Sequence, residues 1–206
     1  MVHISNHPLL LHKISKIRDK NTSNFDFRRT MKEIAMLLGY EILSGFPTKD
    51  IKVKTPLATA NCKVISKDIV IVAILRAGLG LMDGLLEIIP EAKQAHIGIY
   101  RDEETLKPVK YYLRFPDDLK DKYIIIVDPM LATGGSAVEA VNIVKSRGAK
   151  NIHFMSVISS KYGVDVLRKH HPDIKIFTAV MDEKINENGY IVPGLGDAGD
   201  RMFGTD

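Results

Sequence analysis

The pattern of apolar and polar positions changes near Ile69. Before that point, apolar residues from Phe25 to Ser44 recur every three or four positions, which predicts an amphipathic helix that ends at Gly45. Apolar and polar residues then alternate over Ile51–Thr59, which predicts one half-exposed strand. We expect the two ends of the chain to be additions around a central sheet that begins at Ile69.

After Ile69, apolar runs of strand length alternate with stretches of helical pattern. The runs are IVIVAIL, HIGIY, YIIIVD, IHFMSVI and IKIFTAV, and the helical stretches are Leu79–Ile89, Ser136–Arg147 and Val164–His170. This alternation predicts an α/β fold with a doubly wound, mainly parallel sheet flanked by helices. Ligands bind such sheets beyond the carboxyl ends of the strands, so the tips LRAG, YRDE, VDPM and ISSK are the places to look for a site.

The polar segment Arg101–Pro116 separates two of these strands. It is too rich in charge for a buried helix, and its YYLRFP end has the composition of a strand, so we expect a hairpin arm. The length of 206 residues fits a single domain over residues 1–206.

Composition narrows the class of protein. Hydrophobic residues make up 45% and charged residues 26%, as in ordinary soluble globular proteins. The single cysteine, Cys62, excludes an internal disulfide, and no apolar run approaches the roughly 20 residues of a membrane span. We therefore expect a cytoplasmic protein with no membrane contact. The net charge of +4 is spread along the chain, which argues against nucleic acid as a partner.

One glycine pattern suggests nucleotide binding but fits it poorly, and a second kind of nucleotide motif is absent. GLGDAG, residues 194–199, spells GxGxxG, yet a dinucleotide site needs that motif to open a helix in a βαβ unit, with an acid about 20 residues later. The sequence has no GxxxxGK[ST], so a P-loop is excluded. A dinucleotide-dependent oxidoreductase is therefore a distant alternative.

The stretch VDPMLATGGS has a better context for a phosphate. A strand ends at Val127, Asp128 follows, and a helix is predicted to begin near Gly135, with Thr133 or Ser136 as its cap. Free backbone N–H groups at a helix N-terminus bind phosphate, while a carboxylate accepts hydrogen bonds from hydroxyls. A ribose 5-phosphate would satisfy both groups. The alternative is that Asp128 caps the loop and the glycines only turn the chain.

This stretch resembles the phosphoribosyl diphosphate loop of type I phosphoribosyltransferases. Most of that family carry two adjacent acids before Thr-Gly-Gly, whereas Asp128-Pro129 matches the uracil branch. The resemblance covers nearly the whole chain, from about His7 to Asp206. Its motifs are FRRTMKEIAMLLGYEI, ILRAGLGLMDG, YRDEET, VDPMLATGGS and GYIVPGLGDAGDRMFGT.

The resemblance implies the site residues. Asp128, Arg76 and Arg101 take the catalytic roles, with both arginines on the diphosphate. The phosphoribosyl diphosphate contacts are Arg76, Ala77, Gly78, Arg101, Asp128, Pro129, Met130, Leu131, Ala132, Thr133, Gly134, Gly135, Ser136 and Asp197. The C-terminal segment binds uracil through Ile191, Gly196, Asp197 and Ala198, mostly by backbone groups. Mg²⁺ is expected to arrive on the substrate phosphates, with Asp197 as its nearest protein group and no direct metal cage.

The implied reaction converts uracil and phosphoribosyl diphosphate to UMP and diphosphate. The resemblance also implies a homodimer or larger oligomer, and GTP as a candidate effector. Two alternatives stay open: a phosphoribosyltransferase for another base, and an RNA-binding pyrimidine-operon regulator on the same fold. The chain departs from the family pattern at Ser160-Lys161-Tyr162-Gly163, where relatives usually have a turn like Ala-Pro-Glu-Gly.

Overall fold

The computed structural model describes residues 1–101 and 108–205, and only the backbone of Arg101 and Pro108. The strands in this part of the chain are β1 (Val2–Ile4), β2 (Thr48–Lys54), β3 (Thr59–Ile65), β4 (Ile69–Leu75), β5 (Lys93–Arg101), β6 (Pro108–Arg114), β7 (Tyr123–Val127), β8 (Met130–Leu131), β9 (Asn151–Ser160), β10 (Lys175–Asp182), β11 (Lys184–Ile185) and β12 (Ile191–Val192). The helices are α1 (Pro8–Arg18), α2 (Asn24–Leu43), α3 (Gly78–Ile88), α4 (Gly135–Ser146), α5 (Lys161–His170) and α6 (Ala198–Phe203). None of the helices described combines the length and the apolar composition that crossing a bilayer requires.

The central sheet has the strand order β1-β10-β9-β7-β4-β5-β6, and β8 also pairs with β9. All neighbours along this order are parallel except β5 and β6, which are antiparallel. This arrangement confirms the predicted mainly parallel α/β sheet. It also confirms that the YYLRFP stretch returns as a strand, although residues 102–107 at the tip of the expected arm lie outside the described residues.

Helices cover both faces of the sheet. Side chains alternate between the faces along each strand, so Ile71 and Ala73 pack with α1, α2 and α3, whereas Val70 and Val72 pack with α4 and α5. Both sets are buried, which is why the strands are continuous apolar runs. The carboxyl ends of β4 and β7 consequently meet at one edge, and the loops that follow them are neighbours.

The region before the sheet differs from the prediction of one strand over Ile51–Thr59. It is a separate hairpin of β2 and β3, joined by a turn in which the Thr55 hydroxyl accepts hydrogen bonds from the N–H groups of Leu57 and Ala58. The alternating pattern was misleading because Pro56 has no N–H and favours a turn after Thr55.

The N-terminus also differs from the prediction of an addition outside the sheet. β1 lies parallel to β10 at the edge of the sheet, with Val2 opposite Ile176. A strand of three residues has too short a pattern to be recognised in the sequence.

The predicted helices are confirmed with small shifts. α2, α3 and α4 each begin and end one residue before the predicted bounds. α5 begins three residues earlier than predicted, because the Ser160 side chain caps it by accepting a hydrogen bond from the Gly163 N–H.

Candidate active site

A cavity of about 310 Å³ opens at the carboxyl ends of β4 and β7. Its walls are Ile74, Leu75, Arg76, Ala77, Asp128, Met130, Asp197, Ala198 and Gly199. Six of these residues were predicted as site residues from the sequence, namely Arg76, Ala77, Asp128, Met130, Asp197 and Ala198. Three segments far apart in the chain therefore converge on one space.

Asp128 is the partly buried acid at the tip of β7. Its N–H donates to the Met155 carbonyl at 3.1 Å, and its Oδ1 accepts from the Met130 N–H at 3.3 Å. Burial is the main cause that raises the pKa of this carboxyl to about 7; the nearby Asp197 charge adds to this effect, and the hydrogen bond from the Met130 N–H opposes it. A ligand that donated hydroxyl hydrogen bonds here would stabilise the charged form of Asp128.

The loop after Asp128 leads to an open helix N-terminus. Gly134 occupies the N-cap position of α4 with φ of +85°, and no side chain caps the helix. The prediction of Thr133 or Ser136 as the cap was wrong, because glycine adopts this left-handed conformation without strain and itself takes the cap position. Among the hydrogen bonds of the described residues, none uses the N–H groups of Thr133, Gly134, Gly135 or Ser136.

Gly135 has space around it. A Cβ added at this position would meet nothing within 4 Å, so the protein's own packing does not require a glycine. Its absence of a side chain keeps the first turn of α4 accessible from outside. Unpaired N–H groups together with the helix dipole make this turn a suitable anion site.

The other side of this loop rests on the start of α5. The Ser160 hydroxyl donates to the Ala132 carbonyl at 2.5 Å, and a Cβ at Gly163 would lie 2.4 Å from the same oxygen. Gly134 in turn approaches the Gly163 carbonyl closely. The Ser160–Gly163 turn thus packs directly against the predicted phosphate loop.

Arg76 follows β4 after a cis Leu75–Arg76 peptide. Its guanidinium donates to Asp200 Oδ1 at 3.2 Å and to Thr205 Oγ1 at 3.3 Å. It also lies 5.6 Å from the centre of the Phe203 ring. Since these contacts involve the Nη2 edge, other N–H groups of the guanidinium stay accessible to a ligand.

Ala77 and Gly78 bring the start of α3 close to β7. A Cβ at Gly78 would lie 2.6 Å from the Val127 carbonyl, so only glycine fits at this approach. Within the part of the chain that the structure describes, no hydrogen bond uses the N–H groups of Ala77 or Gly78. The predicted role of these two N–H groups as anion donors is therefore compatible with the geometry.

The C-terminal segment is held by two arginines. Arg18 makes a two-pronged ion pair with Asp182 at 2.7 and 2.9 Å and donates to the Gly194 carbonyl at 2.8 Å. Arg201 donates to the carbonyls of Leu195, Ile17 and Asp19. The segment before α6 is thereby fixed to the end of α1.

The predicted uracil contacts lie on this fixed segment. The side chains of Ile191 and Ala198 are buried, so only their backbone groups are available to a ligand. Gly196 has φ of +81°, and Asp197 caps α6 by accepting a hydrogen bond from the Asp200 N–H at 2.9 Å. Asp197 and Ala198 line the cavity, whereas Ile191 and Gly196 lie outside its lining.

Several other predicted residues also lie outside the cavity lining: Gly78, Pro129, Leu131, Ala132, Thr133, Gly134, Gly135 and Ser136. Leu131 is 1% exposed and packs in the core, which leaves only its backbone for a ligand. Pro129 is buried, and its carbonyl accepts hydrogen bonds from the N–H groups of Val157 and Ile158. The Arg101 side chain lies outside the described residues.

The site contains two carboxylates but no larger group of metal ligands. In the described ranges, no cluster of three or more His, Cys, Asp or Glu residues could hold a metal ion. Asp128 and Asp197 line the same cavity and are close enough for their charges to interact. Such a pair fits Mg²⁺ that keeps most of its waters and its bonds to substrate phosphates.

Comparison with known proteins identifies the family. The family model described as "Uracil phosphoribosyltransferase" matches residues 4–205. The chain belongs to the uracil phosphoribosyltransferase family. A relative with that name from Bacillus velezensis is 56% identical over 205 residues, which cover 99% of this chain and 98% of the relative.

Two solved structures share the fold of this chain. The AQ2163 protein from Aquifex aeolicus superposes with a TM-score of 0.94 at 35% identity, covering 98% of each chain. A purine phosphoribosyltransferase from Pyrococcus horikoshii superposes with a TM-score of 0.50 at 22% identity, over 76% of this chain and 91% of that one. At that identity the likeness concerns the fold, and it confirms the type I phosphoribosyltransferase-like sheet.

Sequence reasoning missed the residues that support the site of this family member. Arg18 and Asp182 are 164 positions apart, so no local pattern relates them. Arg201 and Asp200 stand in the motif GYIVPGLGDAGDRMFGT, which was the available signal, but nothing in the motif indicates which carbonyls or side chains they contact.

Proposed function

We propose that this chain is a uracil phosphoribosyltransferase, which transfers the phosphoribosyl group to uracil and releases diphosphate. Family membership supports the pentosyl-transferring activity. The observation that carries the proposal is the convergence of Arg76, Asp128 and Asp197 on one cavity beside the uncapped start of α4. Each part of the substrate has a chemically matching group at this place.

The 5-phosphate is assigned to the loop Ala132–Ser136. Support comes from the unused N–H groups at the start of α4 and from the open space at Gly135. The dianion would also gain from the positive end of the helix dipole.

Asp128 is assigned to the ribose hydroxyls. A carboxylate with a pKa raised to about 7 gains most from donors that stabilise its charge. Two adjacent hydroxyls provide those donors, and binding them would fix the sugar in position for displacement at its anomeric carbon.

The diphosphate is assigned to Arg76, with the N–H groups of Ala77 and Gly78 beside it. The planar guanidinium suits phosphate oxygens, and its charge would stabilise the leaving group as the bond from the anomeric carbon to diphosphate breaks. Arg101 as a second contact stays a prediction, because its side chain is outside the described residues. Mg²⁺ would arrive on the substrate phosphates with Asp197 as its nearest protein group, and the metal would supply further charge to the diphosphate.

Uracil is assigned to the segment that contains Ile191, Gly196 and Ala198. The base presents an acceptor, a donor and an acceptor along one edge, which backbone N–H, C=O and N–H groups can match. Cytosine would place a donor opposite a buried donor, which costs affinity strongly. The ring nitrogen N1 of uracil forms the new bond to the ribose, and we assign no general base because the N1 proton is fairly acidic.

Three finer expectations stay predictions: activation by GTP, a dimeric or larger assembly, and location in the cytoplasm.

A direct assay tests the proposal. The purified chain is supplied with phosphoribosyl diphosphate, Mg²⁺ and one base at a time from uracil, cytosine and hypoxanthine, and the nucleotide products are separated by chromatography. We expect UMP from uracil and no comparable product from the other bases. Faster consumption of another base would refute the assignment of uracil, and absence of any nucleotide product would refute the transferase activity.

A further inference from the structure

Ser160 makes two hydrogen bonds that connect the start of α5 to the loop Ala132–Ser136. Its hydroxyl accepts from the Gly163 N–H at 2.8 Å and donates to the Ala132 carbonyl at 2.5 Å. The side chain is fully buried. The first bond is an ordinary helix cap, whereas the second bond joins α5 to the loop Ala132–Ser136.

The second bond fixes the direction of a peptide plane. The peptide between Ala132 and Thr133 is trans, so its C=O and N–H groups point in opposite directions. Because the Ala132 carbonyl points down to Ser160, the Thr133 N–H points away from α5. That N–H is the first of the four unused groups that precede and begin α4.

Close packing keeps the loop from taking another position. Gly163 lies so near the Ala132 carbonyl that a Cβ there would be 2.4 Å from its oxygen. Gly134 has φ of +85°, and a Cβ there would lie 3.0 Å from both the Gly163 carbonyl oxygen and the Val166 side chain. The loop therefore rests on the α5 turn by direct backbone contact, and Ser160 provides the directional bond within that contact.

We propose that Ser160 is a positioning residue for the 5-phosphate of the substrate: by holding the Ala132 carbonyl, it turns the Thr133 N–H toward the phosphate. The proposal rests on the assignment of the 5-phosphate to the loop Ala132–Ser136. It gives a function to the turn at Ser160–Gly163, which caps α5 and contacts the loop.

The test measures the binding of two ligands that are expected to occupy different parts of the site. UMP carries the 5-phosphate, whereas Mg²⁺-diphosphate binds at Arg76, and their dissociation constants are determined by titration calorimetry. For Ser160→Ala we expect UMP to bind about 2- to 10-fold more weakly, as for the loss of one neutral hydrogen bond, with diphosphate binding unchanged. Ser160→Thr, which keeps the hydroxyl, should retain the affinity of the native chain for UMP.

The control is Ser159→Ala on the same strand. Ser159 is also fully buried, and its hydroxyl donates to Thr178 at 3.0 Å rather than to the loop. This variant loses a buried hydrogen bond but should bind UMP like the native chain. Equal UMP affinities for Ser160→Ala and Ser159→Ala, whether both fall or neither does, would overturn the proposal.

A fourth variant separates this proposal from the one on which it rests. Gly135→Asp places a carboxylate in the open space at the start of α4. If Gly135→Asp binds UMP normally, the loop is not the phosphate site and the underlying assignment is wrong. If Gly135→Asp loses UMP while Ser160→Ala retains it, the phosphate assignment holds and the role of Ser160 is wrong.

Discussion

Asp128 is subject to two opposing requirements. Its proposed role at the ribose needs a charged carboxylate, whereas its burial beside Asp197 disfavours the charge and raises its pKa to about 7. The free protein therefore tolerates an unfavourable charge at this position above neutral pH. Substrate hydroxyls would relieve that cost on binding.

Asp128→Asn should lower activity and raise stability together. Turnover should fall about 10- to 100-fold, as for the loss of charge-assisted hydrogen bonds. In the native chain the folded pKa lies above the unfolded value of 3.8, so the stability cost is absent below about pH 4, grows as pH rises, and is complete above about pH 7. Urea unfolding of the variant should show a gain of roughly 2–4 kcal/mol at about pH 8 and none at about pH 4.

Asp165→Asn is the matched control, because Asp165 is an exposed acid on α5. It should change neither turnover nor the dependence of stability on pH. An unchanged turnover in Asp128→Asn would contradict the assignment of Asp128, even if the stability gain were observed.

At this scale, the residues at the strand tips were predictable from the sequence, but the residues that hold them in position were not. Asp128 follows an apolar run directly, so its place at the carboxyl edge follows from the fold class. Ser160 also ends a strand, but its bond to Ala132 depends on how α5 packs against the loop. Packing of that kind has no signature in the spacing of residues.

Among the elements, α4 combines a structural and a functional end. Its last turn carries Lys145, while its first turn has no acidic residue and no side-chain cap. An acid in the first turn would ordinarily stabilise a helix. We infer that the start of α4 lacks a stabilising cap so that the ligand can take that position.

Gly135→Asp should separate stability from activity in this element. The carboxylate should stabilise the folded chain by about 0.3–1 kcal/mol through the helix dipole. It should also raise the KM for phosphoribosyl diphosphate more than about 10-fold, because it repels the 5-phosphate at close range. Thermal unfolding and steady-state kinetics check the two parts.

Gly135→Asn controls for size, since it adds a side chain of similar volume without charge. It should raise this KM less than Gly135→Asp does. Identical kinetics for the two variants would show that the site does not select for charge, and a loss of stability in Gly135→Asp would contradict the open geometry at this position.

The elements themselves were predictable where the pattern was long. β4, β7, β9 and β10 are continuous apolar runs, and α2 has five turns of helical spacing, so both types stood out. The β2–β3 hairpin was missed because the alternation of apolar and polar residues continues past Pro56, where the chain turns. β1 and β8 were missed because they are short and depend on partners in the sheet.

At the scale of the whole molecule, the two ends of the chain meet at the site. Arg18 at the end of α1 pairs with Asp182 at the end of β10, and both bond to the backbone of Gly194. The pair is largely shielded from solvent, with side-chain exposures of 25% and 10%. It holds the segment proposed to bind the base, and neither residue lines the cavity.

Arg18→Met should therefore impair uracil binding selectively. The apolar stem of the side chain is kept, but the ion pair with Asp182 and the hydrogen bond to the Gly194 carbonyl are lost, so the segment loosens. We expect the KM for uracil to rise about 5- to 10-fold with little change in the KM for phosphoribosyl diphosphate. Equal effects on both substrates would contradict a role confined to the base-binding segment.

Arg29→Met is a suitable control for this variant. Arg29 is also an arginine paired with an acid, Glu33, but its side chain is 67% exposed and its ion pair measures 3.3 Å. Exposed pairs of this kind contribute little, so neither KM should change.

His153 should make the whole fold sensitive to acid. Burial between Phe46 and Phe177 lowers the pKa of His153 to about 4, with the Lys175 charge adding to the effect. Between pH values of about 6.5 and 4, the unfolded chain takes up a proton that the folded chain excludes. His153 therefore costs no stability above about pH 6.5, and its cost grows as the pH falls from about 6.5 to about 4.

His153→Leu should remove that dependence. Relative to the native chain, the variant should gain about 2–3 kcal/mol of unfolding free energy between about pH 7 and pH 4.5, measured by urea unfolding at both values. The stability cost of Asp128 falls as pH falls over part of this range, which opposes the effect of His153. The quantity to compare is therefore the difference in unfolding free energy between the variant and the native chain at each pH. His12→Gln, at an exposed site on α1, should show no such difference.

The pairing of β1 with β10 sets an order of events during synthesis. Val2 lies opposite Ile176, and the Met1 carbonyl accepts a hydrogen bond from the Ile176 N–H at 3.0 Å. At about 5–20 residues per second, a ribosome needs roughly 10–35 seconds to make the intervening chain. Throughout that interval the nascent β1 has no partner strand, so the sheet closes at this edge only after the residues assigned to the phosphoribosyl group have been made.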